Sequence, residues 1–179
     1  MKNSGTSRNV AIGVQDYETL IVNNYFYVDK TGFIKEWWES GDSVTMIARP
    51  RRFGKTLNMS MLETFFSNRY GKRPDLFEGL QIWQEKDYRD LQGTYPVISL
   101  SFANIKETSY ELAVFRICQI IQRMYSENSY LAESEKLLES ERKRLVLYAD
   151  QIEEKDAVMA INEMSYYLTK HFGKKPSSS

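Results

Sequence analysis

The sequence is poor in the residues that build metal and nucleophile sites. It has one cysteine, Cys118, and one histidine, His171, among 179 residues. A lone cysteine excludes an intrachain disulfide and a thiolate metal cluster, and suits a reducing compartment. A lone histidine leaves no material for a His-based metal site or a Ser-His-Asp triad. His171 reads instead as a surface side chain near a helix end. Net charge is also lacking: 24 basic and 24 acidic residues cancel. That argues against a broad nucleic-acid or acidic-membrane footprint. No run approaches the roughly 20 apolar residues of a membrane span. Met1 to Val10 is polar and has no apolar signal core. These absences predict a cytoplasmic protein that does not engage a membrane. The length fits one domain or part of one. There are no internal repeats.

What is present centres on Ala48-Arg49-Pro50-Arg51-Arg52-Phe53-Gly54-Lys55-Thr56. The apolar run Val44 to Ala48 leads in, and a helical pattern, Leu57 to Phe66, leads out. Strand, tight loop ending in Gly-Lys-Thr, then helix is the layout of a nucleotide phosphate-binding loop, the Walker A motif. The chemistry follows from the layout. Gly54 lets backbone N–H groups from Arg51 through Leu57 close around phosphate oxygens. The first helical turn adds outward N–H groups and a positive dipole end. Lys55 reaches the β- and γ-phosphates of ATP, and Thr56 places its hydroxyl on Mg²⁺. One feature departs from the general pattern. Arg49 stands where the first glycine belongs, and Pro50 after it has no N–H. The competing reading is a basic turn, Arg49, Arg51 and Arg52, that contacts the phosphates of a nucleic acid or a protein partner.

Three segments carry a resemblance: Tyr25 to Thr31 (Tyr-Phe-Tyr-Val-Asp-Lys-Thr), Arg49 to Leu62, and Tyr95 to Phe102 (Tyr-Pro-Val-Ile-Ser-Leu-Ser-Phe). Together they resemble the AAA-ATPase-like family of bacterial proteins over about Ile12 to Lys175. In that family Arg-Pro-Arg-Arg-Phe-Gly-Lys-Thr is the usual form of the loop, so Arg49 is no longer anomalous. The resemblance implies a P-loop ATPase domain, commonly followed by a restriction-endonuclease-like nuclease domain. The expected fold is therefore α/β and helix-rich: an incomplete AAA-like domain over residues 11–175, with loose ends at 1–10 and 176–179. Its ligands would be ATP and Mg²⁺. Self-association is possible, and nucleic acid would be met only through a nuclease domain.

The rest of the chain reads as follows. Asp16 to Val22 forms a short helix and Tyr25 to Val28 a β-prone run. Lys30 to Ser40 carries Phe33, Ile34, Trp37 and Trp38 at helical spacing. Asp29 or Thr31 offers an N-cap, and Gly41 sits where a C′ glycine belongs. The paired tryptophans read as core packing rather than a ligand platform. Ser43 to Ala48 and Val97 to Phe102 are the two expected core strands, the first apolar on both faces. The helix after Lys55 should bury Leu57, Met61, Leu62, Phe65 and Phe66. Leu76 to Trp83 is a short amphipathic piece. Glu111 to Tyr125 shows a wide apolar stripe that includes Phe115 and Cys118. Leu131 to Tyr148 is dense in charge, a solvated helix face. Glu153 to Phe172 should bury Ala157, Ile161, Met164, Leu168 and Phe172, and Gly173 closes it.

A P-loop ATPase also needs an apolar strand that ends in an acid to hold the metal shell, the Walker B element. Tyr25 to Asp29 imitates it but precedes the loop. Leu145 to Asp150 imitates it in a helical register. The family resemblance places this strand directly after Gly173-Lys174-Lys175, where Pro-Ser-Ser-Ser stands here. The expectation is thus a truncated ATPase part that binds nucleotide without hydrolysing it. Its two strands would lack their inner neighbours.

Overall fold

The computed structural model describes residues 9–10, 12–42, 44–48, 54–173 and 177–178. They form two compact units, one running to Val97 and the other from Ile98.

In the first unit, helix α1 (Tyr17–Val22) starts on Asp16, whose carboxylate accepts the Thr19 N–H at 2.7 Å. Helix α2 (Gly32–Ser40) ends at Gly41, which takes the left-handed conformation with φ 63°. Glycine has no Cβ to oppose that turn, so the expected C′ position holds. Helix α3 (Lys55–Phe66) follows Gly54. Two 3₁₀ turns (Pro74–Leu76 and Gln81–Gln84) lead into helix α4 (Lys86–Leu91). Their apolar faces meet in one cluster of Tyr17, Ile34, Met61, Leu62, Phe65, Phe66, Leu76, Phe77, Ile82 and Tyr88. Each large side chain fully buried there contributes about 1.5–3 kcal/mol. Tyr17 is buried with its hydroxyl donating to the Leu76 carbonyl at 2.9 Å. Burial therefore leaves no unsatisfied phenol, and it pushes the Tyr17 pKa well above the usual tyrosine range. Trp37 and Trp38 lie against Phe66, with centroids 5.4 and 5.2 Å away. The tryptophans are packing residues, as their spacing suggests.

The expected strands of this unit do not form. Val44 to Ala48 has no ladder, and Val44 and Met46 are 85% and 87% exposed. Ser43 lies outside the described residues. Tyr25 to Val28 is also irregular. A strand apolar on both faces is stable only with neighbours alongside and cover on both sides. Among the described residues Val44 to Ala48 has neither, and Tyr25 to Val28 has a single bond from the Phe26 N–H to Asn9 O at 2.9 Å, with Tyr27 alone against the core. The pairing that does occur is a parallel bridge between Ser67 and Tyr95, beyond the end of α3. There the chain from Gly93 to Tyr95 is tied to α3 by Gly93 N–H to Phe65 O at 2.8 Å and Tyr95 N–H to Phe66 O at 2.9 Å.

The second unit is built on three helices: α5 (Tyr110–Glu127), α6 (Glu139–Asp150) and α7 (Glu154–Phe172). A 3₁₀ turn (Ser129–Glu133) precedes α6. Strand β1 is two residues long (Val97–Ile98) and pairs with β2 (Ser177–Ser178). The expected strand to Phe102 is thus cut short, and Phe102 is 45% exposed. The core holds Ile121, Met124, Tyr125, Leu131, Leu145, Tyr148, Ala160, Met164, Tyr167 and Leu168, with Cys118 packed against it. Cys118 behaves as the small core residue expected, and burial raises its thiol pKa. Tyr125 donates to the Ala160 carbonyl at 2.9 Å, which fixes α5 to α7.

Two faces differ from expectation. On α5 the buried stripe runs through 114, 117, 118, 121, 124 and 125. Phe115 is one position off that register and 55% exposed. On α7 the buried face is Ala160, Met164, Tyr167 and Leu168, rotated away from Ile161 and Phe172. Tyr167 supplies more area than Ile161 and carries a hydroxyl that reaches Glu163 at 3.5 Å. Gly173 closes α7 in the left-handed conformation, φ 72°. His171, in the last turn, is half-buried rather than free. Its Nδ1 is 2.7 Å from Ser134 Oγ, and its ring meets Tyr130 and Phe172 edge-on. The charge-dense stretch lies on α6 and is solvated through Lys143 and Arg144. No helix of the described residues is long and apolar enough to cross a membrane.

Candidate functional site at the start of helix α3

Gly54 sits at φ 73°, ψ 21° and is the residue from which α3 begins. A Cβ built there would meet nothing within 4 Å among the described residues. The requirement for glycine is therefore one of backbone dihedral, not of space. The Asn58 N–H donates to the Gly54 carbonyl at 2.9 Å and closes the first helical turn. That turn carries Lys55, half-buried, and Thr56, exposed. Leu57 is half-buried and packs against the first unit's core. One turn on, Ser60 Oγ accepts the Tyr17 N–H at 2.9 Å and so anchors α3 to the start of α1. Met61, Leu62, Phe65 and Phe66 hold the helix in the core. The start of α3 is thus fixed by the helix's buried side.

Gly54, Lys55, Thr56 and Leu57 stand in succession at the cap and first turn of α3. Arg49, Pro50, Arg51, Arg52 and Phe53 lie outside the described residues. The expected strand ahead of the loop is absent, as noted for Val44 to Ala48.

Neither of the two acids that imitate a metal-holding strand ends a strand. Asp29 Oδ1 accepts the Thr31 N–H at 2.8 Å and the Thr31 hydroxyl at 2.7 Å, and Oδ2 accepts the Gln81 N–H at 2.7 Å. Thr31 Oγ1 in turn accepts the Ile82 N–H at 3.1 Å. Partial burial pushes the Asp29 carboxyl upward, but the hydrogen bonds from Thr31 and Gln81 outweigh it and hold its pKa below the usual carboxylate value. Asp29 is therefore a clamp between the start of α2 and the Gln81 turn. Both of its oxygens are taken. Asp150 ends α6 in the second unit, and its carbonyl and that of Ala149 accept from Gln122. No group of three or more His, Cys, Asp or Glu side chains placed to hold a metal occurs among the described residues.

Two features went unread in the sequence. The Asp29-Lys30-Thr31 turn has a local signature, since Asp hydrogen-bonds its own backbone two residues on. Its partner Gln81 is 52 positions away and has none. Asn58 had a signal that was missed: it precedes Met61 and Leu62 by three and four residues, so it is a polar residue on the buried stripe. It is 5% exposed.

Comparison with known proteins gives a relative and a family. A protein of Azotobacter chroococcum mcd 1, "Uncharacterized protein in vnfD 5'region", is 38% identical over 96 residues. The match covers 53% of this chain and 17% of that relative, so the chain spans a small part of the relative's length. No solved structure matches. The family model described as "Predicted AAA-ATPase" matches residues 11–177, so the chain belongs to the AAA-ATPase-like family.

Proposed function

We propose that the chain binds a nucleoside triphosphate, ATP, at the loop ending in Gly54-Lys55-Thr56. The observation that carries this reading is the left-handed Gly54 leading directly into α3, with Lys55 and Thr56 on its first turn. A helix start has N–H groups directed at an incoming anion and a positive dipole end. Lys55 adds a full charge beside them. Arg51, Arg52 and Phe53 complete the loop through their backbone in this reading. Thr56, exposed on the first turn, would hold Mg²⁺, which would neutralise charge on the bridging phosphate oxygens. Membership of a family described as predicted AAA-ATPases supports the same assignment.

The test is calorimetric. Parent protein should bind Mg-ATP, Lys55→Ala should lose it, and Thr56→Ala should lose the dependence on Mg²⁺. Equal affinity in Lys55→Ala and parent would overturn the assignment.

A further inference from the structure

Helix α7 turns a face to solvent unlike those of its neighbours. From Ala157 to Thr169 the one charged residue is Glu163. Glu163 points to α6, where it meets Arg144 at 2.8 Å. The outward side carries Val158, 76% exposed, with Met159, Ile161, Asn162 and Tyr166 also exposed. The other two helices of the unit face outward with charge: Glu111, Arg116 and Arg123 on α5, Glu139, Lys143 and Arg144 on α6. A helix at a free surface carries its charges opposite the core, and one that is uncharged all round is covered on both sides. Among the described residues of the second unit, packing accounts for one side only, through Ala160, Met164, Tyr167 and Leu168.

We infer that this face is a homodimer interface, on which α7 of a second copy of the chain lies antiparallel. Spacing, shape and charge select a second copy. Val158, Ile161, Ser165, Thr169 and Phe172 follow one another at three, four, four and three residues, so they share one face of the helix. That order is the same read from either end. Identical copies meet through a patch that is self-complementary about a twofold axis, which is what such a stripe supplies. With the axis at Ser165, Val158 of each copy meets Phe172 of the other, and Ile161 meets Thr169. Ser165 is the smallest side chain of the stripe and stands at the crossing point, where two packed helices approach most closely. The uncharged middle brings no repulsion between like faces. The ends set the orientation. Glu154 and Asp156 lie in the first turn of α7, Lys170 and His171 in the last. An antiparallel pair lays the acidic end of one copy beside the basic end of the other and opposes the helix dipoles, whereas a parallel pair would join like ends. Lys170 shares its charge with Glu141 at 2.8 Å, so this contribution chooses the direction more than it adds affinity. The stripe is about 21 Å long and one helix wide. That is less than the roughly 800 Å² each partner gives to a standard interface, so the dimer is a weak one that forms and parts with concentration.

The experiment reads the oligomeric state of the whole chain. Sedimentation velocity over about 1 to about 200 μM, the affinity range of weak interfaces, should show the parent passing from monomer to dimer. Val158→Lys puts a charge from each copy into the interface at a position the fold does not bury. It should weaken association at least about tenfold while circular dichroism stays as in the parent. Orientation is tested by oxidation in a Cys118→Ser background. Ser165→Cys sets two thiols across the axis and should give a disulfide-linked dimer. Val158→Cys should not, since its two thiols would stand about 21 Å apart along the paired helices. A parent that stays monomeric over the whole range would overturn the inference and leave the face to a different polypeptide. Association that Val158→Lys leaves unchanged would overturn it as well, and so would Val158→Cys dimers that form as readily as those of Ser165→Cys.

Discussion

Replacing Gly93 by alanine should damage the first unit far more than replacing Gly54, although both glycines are left-handed. At Gly54, φ 73°, a new Cβ meets nothing within 4 Å among the described residues. Only the dihedral penalty applies, about 1–2 kcal/mol. At Gly93, φ 70°, the Cβ would lie 2.2 Å from the Gly71 carbonyl oxygen and 2.7 Å from its carbon. Both atoms are backbone, so no side-chain rotation can relieve the overlap. The chain at Gly93 or at Gly71 must shift by about 1 Å to restore an ordinary contact distance. That shift strains the bonds made there: Gly93 N–H to Phe65 O, Gln92 Nε2 to Gly71 O at 3.2 Å, and Arg73 N–H to Gln92 Oε1 at 3.1 Å. Gln92 is fully buried, so its amide has no water to turn to. Losing two such bonds at about 1 kcal/mol each, on top of the dihedral cost, gives about 3–4 kcal/mol. The assay is urea unfolding followed by tryptophan fluorescence. All three tryptophans, Trp37, Trp38 and Trp83, belong to the first unit and report on it alone. Gly54→Ala should lower the midpoint at constant slope, and Gly93→Ala should lower it about two to three times as much. Equal midpoints in the two variants would refute the reasoning, since they would mean that the Gly71 contact is not maintained.

Further outcomes follow from the acids. Asp29 has a folded-state pKa below its unfolded value, so its contribution to stability is present above pH about 4. It is lost as pH falls through the depressed folded value. Acid unfolding of Asp29→Ala, followed by the same fluorescence, should therefore begin from a lower plateau and slope less in that window; an unchanged profile would remove Asp29 as a clamp. Purified 179-residue protein should bind ATP without steady phosphate release. Asp29 has both oxygens occupied, and Asp150 lies at the end of a helix and not of a strand. Release that Lys55→Ala abolishes would show that another acid serves the metal.

The helices were legible because their signals are local. Apolar stripes at three- and four-residue spacing, together with Gly41 and Gly173, bound α2, α3, α5 and α7 to within a few residues. The strands were not, because an apolar run specifies burial but not a partner. Val44 to Ala48 reads as a buried strand by composition, and it stands exposed. Helix faces failed where two apolar sets competed: on α7 the Tyr167 side won over the Ile161 side, since a ring with a bonded hydroxyl fills more core. At the candidate site, Gly54, Lys55 and Thr56 announced themselves through a contiguous motif. Gln81 and Asp29 meet across 52 positions, and no spacing rule reaches that far.

That meeting bears on when the ordering of this part of the chain is charged. Through Asp29 and Thr31, residues at the start of α2 are tied to the backbone of Gln81 and Ile82, so a loop of about fifty residues is closed at a single point. Closing it is charged to folding. Shortening the chain between the two ends, or swapping the segment that joins them, would change that entropic charge only slowly with length, whereas breaking the Asp29 clamp would release the whole loop at once.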